Sequence, residues 1–159
     1  MKIVILTVTI VVVLLVLVWL SKRKFVAAEV NVKASDIDAI FAKLDAVQKD
    51  GSFAVFVFTA SGGTPTNDAV NIQFSIEGGR SGFDWVLLAP GNLRDESRFR
   101  QFAHARGYSV IDREMNNVKY LRVEGPKSLP HLCRAVICEM YQIAPDADID
   151  LIPEGFTWP

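Results

Sequence analysis

From Ile3 to Leu20 the chain runs eighteen residues without a charge, a glycine or a proline. As an α-helix this run extends about 27 Å at 1.5 Å per residue, roughly the thickness of a bilayer core. Its valines and isoleucines favour strand in water, but a lone strand in lipid leaves its backbone unpaired, whereas a helix satisfies its N–H groups internally. The run therefore predicts a transmembrane helix. Val26-Ala27-Ala28 ahead of Glu29 offers a signal-peptidase-like ending. A signal peptide, however, has a shorter apolar region with its positive charge in front, and here Lys22, Arg23 and Lys24 come after. The reading is a retained anchor over residues 1–24, in contact with the lipid bilayer through residues 3–20, with Trp19, Lys22, Arg23 and Lys24 as membrane-flanking residues. The basic flank tends to stay cytoplasmic, which puts the C-terminal domain on the cytoplasmic side of an inner membrane. The alternative, a domain on the extracytoplasmic side, follows if Lys2 and the α-amine outweigh that cluster.

About 135 residues follow the basic flank, enough for one domain with its own core. Residues 25–34 read as a juxtamembrane connector and 35–159 as a single domain. Setting aside Lys2 and the Lys22 to Lys24 cluster, 13 basic residues face 18 acidic ones, a formal charge of about −5. Such a domain is not a general nucleic-acid binder. Cys133 and Cys138 are five apart in a helical pattern, too distant and too divergent for a disulfide between them.

Ser35 and Asp38 have capping-box spacing, and Ile37, Ile40, Phe41, Leu44 and Val47 continue at helical intervals up to Gly51. "FAVFVFT" (residues 53–59) is an apolar run of strand length, read as a central strand covered on both faces. "AVNIQFSIE" alternates apolar and polar residues, which predicts one wet face, and "GGRSG" turns the chain into "FDWVLLA". Asn92 and Asp95 suggest a second helix start, with Phe99, Phe102 and Ala103 as its apolar stripe and Gly107 as its stop. "YSVIDR" and "VKYLRVE" form a hairpin around "EMNN", since Asn tolerates positive φ. Leu129, Leu132, Cys133, Val136, Ile137, Met140 and Tyr141 mark the last helix. The expectation is an α+β domain, a mostly antiparallel five-stranded sheet with three helices, preceded by one transmembrane helix.

The order α-β-β-β-α-β-β-α over Ser35 to Gln142, with "FAVFVFT", "NIQFSIEGGRSGFDWVLL" and "LPHLCRAVICEMY" as its landmarks, resembles the secretion-chaperone-like fold of type III secretion chaperones and related small bacterial domains. The resemblance implies a mostly antiparallel sheet backed by helices, homodimerisation as a frequent trait, and a role in binding other proteins. It implies no catalytic residue. The N-terminal anchor departs from that family, whose secretion chaperones are soluble.

Few residues carry chemistry. His104 and His131 have no second ligand at zinc spacing. Cys133 falls within an apolar stripe and Cys138 has no histidine nearby, so neither has the environment of a reactive thiolate. Asp146, Asp148 and Asp150 begin like an EF-hand loop, but Leu151 replaces its glycine and Thr157 its bidentate glutamate. "SGGTPTND" lacks the lysine of a phosphate-binding loop. No catalytic, metal or cofactor site is expected. The candidate partner-binding residues are Arg98 and Arg100 on the middle helix and Phe156 and Trp158 in the tail, which either pack on the sheet or await a partner. These features point to a non-enzymatic, membrane-tethered domain that binds another protein as an adaptor, chaperone-like or protective factor. The alternative is a membrane-associated enzyme whose fold brings together carboxylates such as Asp84 and Asp112.

Overall fold

The computed structural model describes residues 29–60 and 62–159. The expected anchor, with Trp19, Lys22, Arg23 and Lys24, lies outside these residues. Among the described residues no helix is long and apolar enough to cross a membrane.

The domain is α+β, but its sheet has seven antiparallel strands and it carries five α-helices, correcting the expected five and three. The strands are β1 (Val30–Val32), β2 (Phe53–Thr59), β3 (Ala69–Glu77), β4 (Arg80–Val86), β5 (Val110–Met115), β6 (Val118–Val123) and β7 (Ile149–Glu154). They lie in the order β1-β7-β2-β3-β4-β6-β5. The helices are α1 (Ile37–Val47), α2 (Pro65–Asp68), α3 (Pro90–Arg94), α4 (Glu96–Ala105) and α5 (Leu129–Ala135). With short α2 and α3 set aside, residues 37–140 run α-β-β-β-α-β-β-α, and β1 and β7 stand outside that succession.

The two unexpected strands pair with each other, Val30 opposite Leu151 and Val32 opposite Ile149. Part of the expected connector is therefore a sheet edge, and the acidic "DADIDLIPEG" supplies an inner strand. Ile149 and Leu151 enter the core while Asp150 faces the other way, the alternation of a half-buried strand. Pro153 lies opposite Ala54 of β2, beyond the Val30–Val32 stretch that pairs with β1.

The first helix begins differently from expectation. Asp36, rather than Asp38, reaches back: its carboxylate accepts the Lys33 N–H at 2.8 Å while its own N–H donates to the Lys33 carbonyl at 2.9 Å. A 3₁₀ turn, Ala34–Asp36, then leads into α1, and Asp38 pairs instead with Arg134. Asn92 is not a cap either. It is fully buried, accepts the Asn71 N–H and donates to the Asn71 carbonyl, both at 2.7 Å. Its amide thus stands where a peptide group of a neighbouring strand would bond to β3.

All strands turn one face to the helices. Phe56, Ile72, Trp85 and Leu121 are aligned by the registers and completely buried. Trp85 stacks on Phe99 of α4 at 4.5 Å, and Phe99 on Phe83 at 5.7 Å. α5 carries the expected apolar stripe, but from Val136 to Met140 the helix widens into a π turn closed by the Tyr141 N–H to Val136 carbonyl bond. Tyr141 then lies 5.4 Å from Phe58 and its hydroxyl donates to Asp95 at 2.9 Å.

Candidate binding surface

The second face of the sheet lies opposite the one on which Trp85 stacks against Phe99. It presents Val55 and Val57 of β2, Gln73 and Ser75 of β3, Gly82 and Asp84 of β4, Arg122 of β6 and Ile111, Arg113 and Met115 of β5. Val55 and Val57 are only half-buried, so β2 is not covered equally on both sides as expected. Yet Asp84 and Arg122 are completely buried. Met115 of the outermost strand lines one cavity of about 330 Å³ together with Phe53 of β2 and Gln73 of β3. Strands that far apart in the sheet share a cavity because the sheet coils, which draws the β5–β6 hairpin over this face.

Beneath that coil the Arg122 guanidinium donates to Ser75 Oγ and Asp84 Oδ1, each at 2.7 Å, to Glu124 Oε1 and to the Arg80 carbonyl. Ser75 and Gln73 donate to the other Asp84 oxygen at 2.6 and 3.1 Å. Glu77 lies 3.4 Å from Arg122 and accepts the Tyr120 hydroxyl. Burial pushes the Asp84 carboxyl above its usual range despite Arg122. Burial and the neighbouring Glu77 push the Tyr120 hydroxyl up to about 12. Arg122 holds Glu124 below the usual carboxylate range. Each polar group has partners within the cluster, so the arrangement orders the sheet, and no nucleophile or free base is poised in it.

Asp84 and Asp112 do not converge. Asp84 lies opposite Arg122 on the coiled face, whereas Asp112 lies opposite Leu121 on the helix face and pairs with Arg100. Arg100 also bonds Glu96, and Arg98 donates to the Met140 carbonyl and sits over the Tyr141 ring. Both candidate arginines thus tie α4 to its neighbours. Phe156 and Trp158 are half-buried against the core, with Lys43 over the Trp158 ring at 5.1 Å. Asp146 and Asp148 are exposed, and among the described residues no group of His, Cys, Asp or Glu is arranged to hold a metal. Cys133 is buried, which pushes its thiol well above the usual value. His104 and His131 are exposed.

The surface that sequence reasoning did not single out is β5. It forms one edge of the sheet, and five of its six residues are exposed, including Ile111 at 42% and Met115 at 51%. Ile111 and Met115 lie on the same side of the strand with Arg113 between them. A signal was present in "VIDREM": two large apolar residues four apart on a strand whose intervening residues are charged. Compared with known proteins, the chain matches no family model, no curated protein and no solved structure.

Proposed function

We propose that this chain is a non-catalytic protein-binding domain tethered to a membrane, whether as an adaptor, a chaperone-like factor or a protective factor. The observation that supports it is the β5 edge, where Ile111 and Met115 are exposed on a strand that pairs with β6 on one side and, among the described residues, with no strand on the other. Open edges are docking sites for extended segments of other proteins. Tethering rests on the apolar run 3–20 and its basic flank. Nine residues lie between Leu20 and Val30, and their ten Cα–Cα steps hold β1 within about 35 Å of the bilayer. β5 forms the edge of the sheet opposite β1, with five strands between them. The basic flank favours a cytoplasmic domain; an extracytoplasmic one presents the same edge to envelope components. The two carboxylates named for the enzyme alternative, Asp84 and Asp112, lie on opposite faces of the sheet.

The test is site-specific photo-crosslinking of the full-length chain in cells, with the reactive residue at position 114 and, as a comparison, at exposed position 101 of α4. Adducts of defined mass with another protein from position 114 support the reading. Absence of protein adducts from either position, together with turnover of a soluble small molecule, overturns it. A topology reporter fused after Pro159 checks the orientation; an extracytoplasmic signal reverses the preferred side.

A further inference from the structure

We infer that β5 binds its partner by strand addition, and that it selects a strand of the pattern apolar-basic-acidic-basic-apolar. This rests on the protein-binding reading above and adds the mode and the chemistry of the partner. In an antiparallel ladder, residues alternate between turning their backbone groups towards one neighbouring strand and towards the other. The Leu87 N–H donates to the Lys119 carbonyl at 2.9 Å, so Lys119 and, by alternation, Leu121 and Val123 face β4. Val118, Tyr120 and Arg122 then face β5, where they lie opposite Met115, Arg113 and Ile111. The backbone groups of Val110, Asp112 and Glu114 are left pointing outward, and among the described residues no hydrogen bond reaches them from another backbone group.

An added strand bonds at Asp112 and Glu114 and sets its side chains beside those of β5. Apolar residues belong opposite Ile111 and Met115, an acidic one opposite Arg113, and basic ones opposite Asp112 and Glu114. The pattern is symmetric, so either strand direction fits. A second copy of this chain does not supply that pattern in the registers that overlap the charged centre of the strand. A two-fold axis between two β5 strands must set one residue against its own copy. Placing Ile111 against Met115 therefore puts Arg113 against Arg113, with Asp112 against Glu114 on both sides. Centring on Asp112 or Glu114 sets an acid against itself. Like charges directly opposite destabilise a pair, so the charges that guard the edge against self-pairing also specify a different partner.

The experiment uses the full-length chain in neutral detergent micelles and two synthetic peptides, Thr-Ile-Lys-Glu-Lys-Val-Thr and its charge-inverted form Thr-Ile-Glu-Lys-Glu-Val-Thr. The first is expected to bind several-fold more tightly than the second, from the cross-strand charge pairs at Arg113 and Glu114, with Asp112 shared between the peptide and Arg100. Its binding should slow amide hydrogen exchange at Asp112 and Glu114 while leaving Arg113, already bonded to β6, unchanged. The variant R113E/E114K should shift the preference towards the inverted peptide. Equal affinity for both peptides, no binding of either, or self-association that protects the same amides overturns the inference. Crosslinks to another protein from position 101 alone, with neither peptide bound, remove this mode while leaving the protein-binding reading in place.

Discussion

The Arg122 guanidinium lies against the α-carbon of Gly82, in the space where any other residue would carry its β-carbon. Gly82 is opposite Ser75 in the β3–β4 register, so the missing side chain lets the guanidinium reach across β4 to the serine. The substitution Gly82→Ala overlaps the guanidinium. It is expected to cost about 2 kcal/mol, the order found for overpacked interiors, as measured by urea unfolding followed through tryptophan fluorescence.

Arg122 and Asp84 depend on each other more than the domain depends on the pair. Arg122→Met leaves Asp84 buried with its counter-charge gone and should cost about 3–5 kcal/mol. The double variant Arg122→Met/Asp84→Leu should be more stable than Arg122→Met alone, because no uncompensated charge remains inside. A double-mutant cycle by chemical denaturation checks this; additive losses would show that the two residues act independently.

Asn92 substitutes for a strand neighbour at Asn71. Asn92→Ala leaves a buried N–H and carbonyl of β3 without partners, with an expected loss of about 2–3 kcal/mol. Hydrogen exchange at the Asn71 amide should quicken beyond what the global loss of stability explains.

Ser52 Oγ is buried and has no hydrogen-bond partner among the described residues, while the Ser52 backbone bonds Lys49 and Ile76. Ser52→Ala removes the desolvated hydroxyl and keeps the backbone bonds. It should raise stability by about 1 kcal/mol, read as a higher urea midpoint at unchanged slope.

Acid should loosen the cluster through Glu124. Arg122 depresses its folded-state pKa below the ordinary 4.5, so its stabilising contribution is complete above about that pH and fades as pH falls through the depressed value. The variant Glu124→Gln should flatten the pH dependence of stability below pH 4.5. An unchanged slope would show that this carboxylate does not govern it.

Much of the helix-facing core was legible because it follows simple periods. The alternation in "AVNIQFSIE" buries Val70, Ile72, Phe74 and Ile76, and the stripe from Leu129 to Tyr141 buries each of its members. Asn116 and Asn117 both take the positive φ expected of the "EMNN" turn. What stayed hidden depends on distant partners. The three residues of β1 and the acid-rich β7 are too short or too polar to announce a strand alone, and each acquires its identity from the other. The π turn that ends the last helix leaves no mark in its apolar rhythm.

The surface was less legible than the core. Arg122 alternates with Leu121 and Val123 as a solvent-facing residue should, and only the coil of the sheet and the gap at Gly82 bury it. Arg98 and Arg100 read in sequence as a docking patch or as an ordinary solvated helix face, and the carboxylates and carbonyl that engage them lie on other segments or a turn away. Exposure of Ile111 and Met115 follows from β5 being an edge, a fact of strand order at which the charges interleaved in "VIDREM" only hint.

The insertion of β7 between β1 and β2 also sets a timetable. During synthesis β1 emerges more than a hundred residues ahead of the strand it pairs with, and β2 lacks one neighbour until that strand arrives. The meander β2–β3–β4 and the β5–β6 hairpin can form from nearby chain, but the sheet closes only with its most sequence-distant contacts, the slowest kind to find. The nascent domain therefore carries an open β2 edge from the synthesis of Thr59 until Ile149 to Glu154 arrive, and protection of that edge has to come from outside the sheet until then.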